Sequence, residues 1–279
     1  MHILDKKEIK ERFFSSQTQP RNFLGQNYLV SLYGMTTFLQ YLHACETVLE
    51  IGPGIGNITI NYLHNAKKII LVEIDSEKIP ILKKVLSDAN EGVFPDWVTI
   101  INDDILKVTI DSLFDTTNPY QIIGALPYNI AKRIIHQTLQ LFPSPLQALF
   151  IVQKEVADKY ISETKSETFL SVSSKLYATI ERKEILPAHY FFPTPKVRSR
   201  IIKITGFNAS NPSDVINFEK ESQFIKKGFA NPRKKLSNTL DVKNYTPDII
   251  FAKDKRAEEI SLNTWHQLYK IGLLENALI

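Results

Sequence analysis

The chain has 279 residues, 43% of them hydrophobic and 23% charged, with a formal net charge of +4 and a single cysteine. A chain of this length can bury one large core, or a large core and a small one, and lone Cys45 excludes both an intrachain disulfide and a multi-cysteine zinc site. The mild positive charge permits a polyanionic partner without requiring one. No apolar stretch is long enough to span a bilayer, and Met1–Lys7 lacks a signal-peptide core, so a cytoplasmic address is expected.

Residues 1–20 are polar and read as a short helix or an unsettled arm. Residues 21–30 hold too many amides and aromatics for a plain linker, and Phe38–Leu42 reads as a helix leading to the first strand. Cys45 falls in an apolar context and is expected in the core. Val48-Leu49-Glu50-Ile51 then runs into Gly52-Pro53-Gly54-Ile55-Gly56, and Ile58–Leu63 can continue as a helix. Strand, glycine turn and helix is the layout of a nucleotide-type site, because glycines let backbone approach a ligand without a Cβ in the way. The spacing is not that of the dinucleotide fingerprint, and a tight turn without a ligand would use the same residues.

Lys68–Asp75 reads as a strand with acids at its end, and Ile79, Leu82, Val85 and Leu86 mark a helical face within 76–86. Val98–Ile101 is a third strand ending in Asn102-Asp103-Asp104. Tyr120–Gly124 is a fourth, running into Ala125-Leu126-Pro127-Tyr128, and Ile130, Ile134, Ile135 and Leu139 form the next helix face. Leu146–Val152 is a buried-type strand; Thr179–Leu186 and Arg200–Thr205 are two more, close enough to pair antiparallel. This order predicts an α/β fold: a mostly parallel sheet of about seven strands with helices on both faces and a late antiparallel excursion. Near Gly206–Ser213 the composition turns to Asn, Ser and Pro, so a boundary is placed there. Beyond it, Phe218, Phe224, Ile225 and Phe229 make one helical face; Leu262, Trp265, Leu268 and Tyr269 make another, with Ser261 as N-cap. The expected domains are an arm over 1–20, an α/β domain over 21–206 and a small helical domain over 207–279.

In open α/β sheets, ligands sit beyond the carboxyl ends of the strands. Every unusual cluster here lies at such an end: the glycine turn, Glu73-Ile74-Asp75, Asp103-Asp104 and Leu126-Pro127-Tyr128. Glu73 stands roughly 20 residues beyond Gly52, where an acid can accept both hydroxyls of a ribose; a solvated strand end is the plainer alternative. Asp103 or Asp104 can accept from an exocyclic adenine amine, or belong to a solvated loop. No His or second acid stands at ligand spacing nearby, so no metal is expected. Pro127 removes a backbone donor, and Tyr128 offers a flat face on which a base can stack. A proline turn with a core tyrosine would have the same sequence.

Val48–Gly54, then Val72-Glu73-Ile74-Asp75, then Leu126-Pro127-Tyr128-Asn129-Ile130, in that order, resemble class I S-adenosylmethionine-dependent methyltransferases (Rossmann-like) that modify adenine. Phe23–Leu29, Val152–Asp158, Phe192–Ser199 and Arg256–Ser261 narrow the resemblance to the KsgA family of small-subunit (16S) rRNA adenine N6,N6-dimethyltransferases, over roughly residues 20–275. The resemblance implies S-adenosylmethionine as cofactor. It places Asn27 and Leu29 over the cofactor, Gly52 and Gly54 along its methionine part, Glu73 on the ribose and Asp104 at the adenine. The stretch 125–128 would hold the target adenine, with Leu126 offering a carbonyl and Tyr128 stacking. It also implies a substrate of two adjacent adenines near the 3′ end of small-subunit rRNA, within an immature 30S-type subunit, and a monomeric enzyme of ribosome biogenesis. The C-terminal helices would help grip RNA.

There is one departure: the family carries Asn where this chain has Ala125, a position counted with both the cofactor set and the catalytic stretch. The amine of adenine is a poor nucleophile, and two acceptors on its hydrogens would aim it at the sulfonium; alanine removes one. Ala125 therefore also supports a catalytically silent ribosome-assembly or transcription-type factor of the same fold. A large-subunit rRNA adenine methyltransferase conferring antibiotic resistance is a third reading. Basic residues are grouped as Lys132 and Arg133, as Lys196 and Arg198, and as Arg233, Lys234 and Lys235. They are the expected phosphate contacts, the last group foremost because no acid lies within it. A base splayed out of its stack is the expected substrate.

Overall fold

The computed structural model describes residues 4, 6–15, 27–113, 118–161, 167–240, 247 and 249–276. The expected arm residues 16–20 and most of the Phe23–Leu29 box, residues 23–26, lie outside them.

In chain order the elements are α1 (Lys6–Ser15), β1 (Tyr28–Leu29), α2 (Leu32–Leu39), β2 (Thr47–Ile51), β3 (Lys68–Val72), α3 (Ile79–Asp88), β4 (Val98–Ile101), β5 (Tyr120–Ala125), α4 (Ala131–Leu139), β6 (Gln147–Gln153), α5 (Lys154–Tyr160), α6 (Phe169–Tyr177), β7 (Thr179–Leu186), β8 (Phe191–Phe192), β9 (Ser199–Thr205), α7 (Pro212–Gly228) and α8 (Leu262–Asn276). Seven strands form one sheet in the order β4-β3-β2-β5-β6-β9-β7. The near-continuous apolar runs of β2, β3, β5 and β6 belong to strands covered on both faces. They pair in parallel, Val48 opposite Ile69 and Gln121, and Ile122 opposite Ala148. The expected late reversal is β9, antiparallel to β6 with Ile151 opposite Ile201. Met35 and Phe38 of α2 and Leu82 and Leu86 of α3 join Val48, Ile69, Leu71, Ile123 and Leu149 in the main core. Burying each such side chain contributes about 1.5–3 kcal/mol.

Several local expectations are corrected. The helix before the first strand is Leu32–Leu39, not Phe38–Leu42, because Ser31 caps it: its hydroxyl accepts the Gly34 N–H at 3.2 Å. The helix expected after the glycine turn is only a 3₁₀ turn, Thr59–Asn61. Thr59 and Tyr62, three residues apart and so eclipsed in a 3₁₀ turn, both donate to one Glu50 oxygen, at 2.7 and 2.6 Å. The strand expected over Lys68–Asp75 stops at Val72, leaving Glu73 and Asp75 beyond the sheet. Cys45 is half-buried rather than in the core, its thiol donating to the Pro119 carbonyl at 3.0 Å.

The sequence also hides a two-stranded ribbon, in which Tyr28 and Leu29 pair antiparallel with Phe192 and Phe191. Two compact units result: residues 1–157 with 181–206, and residues 158–180 with 207–279. Within the second unit, the side chain of Asn211 caps α7 by accepting the Asp214 N–H, and Ser261 accepts the Thr264 N–H at 3.2 Å, the N-cap expected for α8. Trp265, Leu268, Ile225 and Leu236 are fully buried there. Among the described residues no helix is long and apolar enough to cross a membrane.

Candidate active site

The carboxyl ends of β2, β3, β4 and β5 border a single cleft with about 820 Å³ of empty space, open solvent included, at the place where ligands sit in open α/β sheets. Its floor is the glycine turn. Gly52 and Gly54 have φ of +66° and +59°, a region open to glycine and costly for other residues. A Cβ on Gly54 would lie 2.6 Å from Tyr28 Cε1, so glycine there is a condition of the close approach. Glu73, which is 5% exposed, braces the turn: one carboxylate oxygen accepts the Gly54 N–H at 2.8 Å and the other the Asp75 N–H at 2.9 Å. Burial pushes the Glu73 carboxyl above its ordinary value, and the two backbone donors pull it back down. Each oxygen keeps a second lone pair.

Beneath the turn, Glu50 is buried and borders the same cleft. Burial pushes its carboxyl up to about 7, against the lowering effect of the Thr59 and Tyr62 hydroxyls. On the far wall Asp103 and Asp104 both border the cleft. Asp104 is half-buried and accepts the Leu106 N–H at 3.0 Å; Asp103 is exposed and accepts the Asp104 N–H at 2.7 Å. Asn27, Leu29, Gly52, Gly54, Glu73, Asp104 and Ala125 therefore all line one space.

A smaller recess adjoins it, bordered by Asn27, Ala125, Leu126, Tyr128, Ile151 and Phe191. Asn27 and Ala125 belong to both linings. The Leu126 N–H donates to the Ile151 carbonyl at 2.9 Å, and the Pro127 carbonyl accepts the Ile130 N–H at 3.2 Å. These bonds fix both sides of the Leu126–Pro127 peptide. Tyr128 is half-buried, and its hydroxyl is 2.9 Å from the Ser199 hydroxyl on β9. Burial raises the Tyr128 phenol and the Ser199 contact lowers it. The glycine turn and Tyr128 thus open onto adjoining hollows.

The basic groups are exposed: Lys132 and Arg133 on α4, Lys196 and Arg198 after β8, and Arg233, Lys234 and Lys235 before a 3₁₀ turn of the second unit. Lys235 is less available than its sequence neighbours suggest, because Asp254, distant in sequence, pairs with it at 2.9 Å.

Sequence reasoning overlooked several residues. Asn57 borders the cleft, accepts the Leu4 N–H at 3.0 Å and donates to the Leu29 carbonyl, tying the arm and β1 to the glycine turn. A polar residue directly after the glycines was the available signal. Glu50 was visible as an acid inside an apolar strand. Phe191 and Ser199 carried no local sign, since Phe191 reaches the recess, and Ser199 the Tyr128 hydroxyl, from far along the chain. Among the described residues, no group of three or more His, Cys, Asp or Glu side chains is placed to hold a metal.

The profile of the ribosomal RNA adenine dimethylase family matches residues 17–272. The chain is 31% identical over 259 residues to "Ribosomal RNA small subunit methyltransferase A" of Acidobacterium capsulatum, covering 88% of this chain and 89% of that one. It is 32% identical over 256 residues to the protein of the same name from Mycoplasma mobile, covering 88% and 95%. In fold it is similar to the crystal structure of a dimethyladenosine transferase from Plasmodium falciparum, with a TM-score of 0.70 and 23% identity over 88% of this chain and 98% of the other.

Proposed function

The chain belongs to the ribosomal RNA adenine dimethylase family, and from that membership we propose that it transfers methyl groups from S-adenosylmethionine to the N6 amines of two adjacent adenines near the 3′ end of small-subunit rRNA. The observation that carries this reading is the wall of Asn27 and Ala125 common to the larger cleft and the smaller recess. Methyl transfer between two bound adenosine-type ligands needs such a junction.

The residues present fit S-adenosylmethionine. Gly52 and Gly54 would hold its methionine part against bare backbone, Glu73 would accept from the ribose hydroxyls and Asp104 would meet the adenine, with Asn27 and Leu29 over it. When bound, the cofactor supplies an electrophilic methyl on a sulfonium. The rest of the chemistry is positioning. The Leu126 carbonyl accepts one hydrogen of the target amine, and Tyr128, held by Ser199, stacks on the base. The polar side chains bordering the recess, among the described residues, are Asn27 and Tyr128, so no strong base is asked to take the displaced proton; it leaves to water. The exposed basic groups draw the RNA backbone in and make binding salt-dependent. The substrate form is the immature small subunit, and the enzyme works as a cytoplasmic monomer, with residues 207–279 adding RNA contacts.

Titration with S-adenosylmethionine, followed by methylation of unmodified small subunits with primer extension across both rRNAs, tests the proposal. Stops at two adjacent adenines of the small-subunit rRNA are expected. Failure to bind the methyl donor would end the reading, stops on the large-subunit rRNA would redirect it, and donor binding without methylation would favour an assembly factor.

A further inference from the structure

Next to the recess lies an aromatic surface that the proposed reaction does not use. Tyr33, in the first turn of α2, is 68% exposed, and its neighbour Leu32 is 62% exposed. The Tyr33 ring meets Tyr190 edge-on, 6.2 Å between centroids at 69°, and Tyr190 meets exposed His189 at 4.8 Å and 88°. This cluster is built rather than incidental. Gly34 makes room for it: a Cβ there would come within 2.9 Å of Tyr190 Cδ2. The Tyr190 carbonyl is fixed by the Val30 N–H at 2.8 Å, where the chain leaves β1.

Its position is informative. Tyr190 directly precedes Phe191, which borders the recess, so the platform begins one residue, roughly 4 Å of backbone, from the wall of the base site. Cations flank the same ribbon. Lys6 and Lys10 each hold an ammonium 5.6 Å from the Phe192 ring centroid, and Lys196 and Arg198 are exposed on the turn that follows. Exposed aromatic faces alternating with cations are what a single nucleic-acid strand requires: flat surfaces for bases and charge for phosphates. An apolar protein partner would not favour these cations beside the ribbon.

We infer that Tyr33, supported by Tyr190 and His189, is a stacking platform for the unpaired RNA base adjoining the target adenine. Tyr33 would then hold the strand in register while the target occupies the recess. The inference rests on the proposed RNA-methylating reading, and the test separates the two.

The full chain, Tyr33→Ala and Tyr33→Phe are titrated with an RNA hairpin carrying two adjacent adenines in its loop. 2-Aminopurine stands beside those adenines or, as control, in the distal stem. Parallel titrations use S-adenosylmethionine. Expected are quenching of the loop probe by the wild type and by Tyr33→Phe, with loss of the quench and roughly 10-fold weaker RNA binding in Tyr33→Ala, the loss of one stacked base. Donor affinity stays unchanged in all three. Tyr33→Ala that binds and quenches as the wild type does overturns the platform and leaves the methyltransferase reading standing. Unchanged hairpin binding with impaired binding of isolated small subunits puts a protein against Tyr33 and overturns the RNA assignment. A wild type that binds the donor but no RNA overturns the platform as well, whereas one that binds no donor defeats the functional reading itself.

Discussion

Replacing Ala125 with asparagine is the most direct probe of the chemistry. Residue 125 is half-buried and borders both hollows, beside the place where donor and target would meet. The larger hollow is partly open to solvent, so an amide in place of a methyl has room to turn toward it. The new acceptor would restrain the second amine hydrogen of the target, adding to the Leu126 carbonyl. A hydrogen bond in such a partly dry wall is worth about 1–3 kcal/mol, which corresponds to roughly a 10- to 100-fold rise in the methyl-transfer rate. Single-turnover transfer to unmodified small subunits at saturating donor measures that step without product release. Donor and RNA affinities are titrated alongside, so that binding and chemistry are read separately. If Ala125→Asn binds both ligands as tightly as the wild type and is no faster, the acceptor account of this position is wrong.

Three further substitutions test the surroundings. Gly54→Ala forces a φ of +59° on alanine and drives its Cβ toward Tyr28 at 2.6 Å; calorimetric titration should show donor affinity weakened by about 10-fold or more, the αL strain alone being about 1–2 kcal/mol. Glu73→Ala strands the Gly54 and Asp75 N–H groups, so denaturant unfolding should report a loss of about 1–3 kcal/mol along with lost donor binding; unchanged stability would mean that the carboxylate does not brace the turn. Glu50, with a folded value of about 7 against the ordinary 4.5, holds its proton in the folded chain while the unfolded chain releases it. Stability should therefore fall as pH rises through that window, by about 3 kcal/mol in all, and level off above it. Glu50→Gln should flatten this slope, and identical pH profiles for variant and wild type would refute the assignment.

Much of the sheet was legible because its strands obey local rules. The apolar runs of β2, β3, β5 and β6 declare burial on both faces, and the crevice follows from where those runs end. The acids at 73, 103 and 104 and the 125–128 stretch could be assembled for the same reason: each lies at or just beyond the end of a strand. What escaped is non-local. The pairing of Tyr28 with Phe192 and the contact of Tyr128 with Ser199 join distant parts of the chain, and neither partner advertises the other. Likewise residues 158–180 interrupt the α/β unit yet cluster with 207–279, the Glu167 N–H donating to the Glu258 carbonyl at 3.0 Å. The helix after the glycine turn failed for a different reason. A single buried carboxylate recruited two hydroxyls three residues apart and set the local pitch, overriding the apolar pattern.

The wall of Asn27 and Ala125 has a thermodynamic consequence. Asn27 and Ala125 line both hollows, so a ligand in one that shifts either residue alters the free energy of filling the other. Reciprocity then requires methyl donor and RNA to change each other's affinity by the same factor, whichever arrives first. A spent donor left in place would bias capture of the RNA by the same linkage, so cofactor turnover and strand release are one coupled equilibrium rather than two independent events.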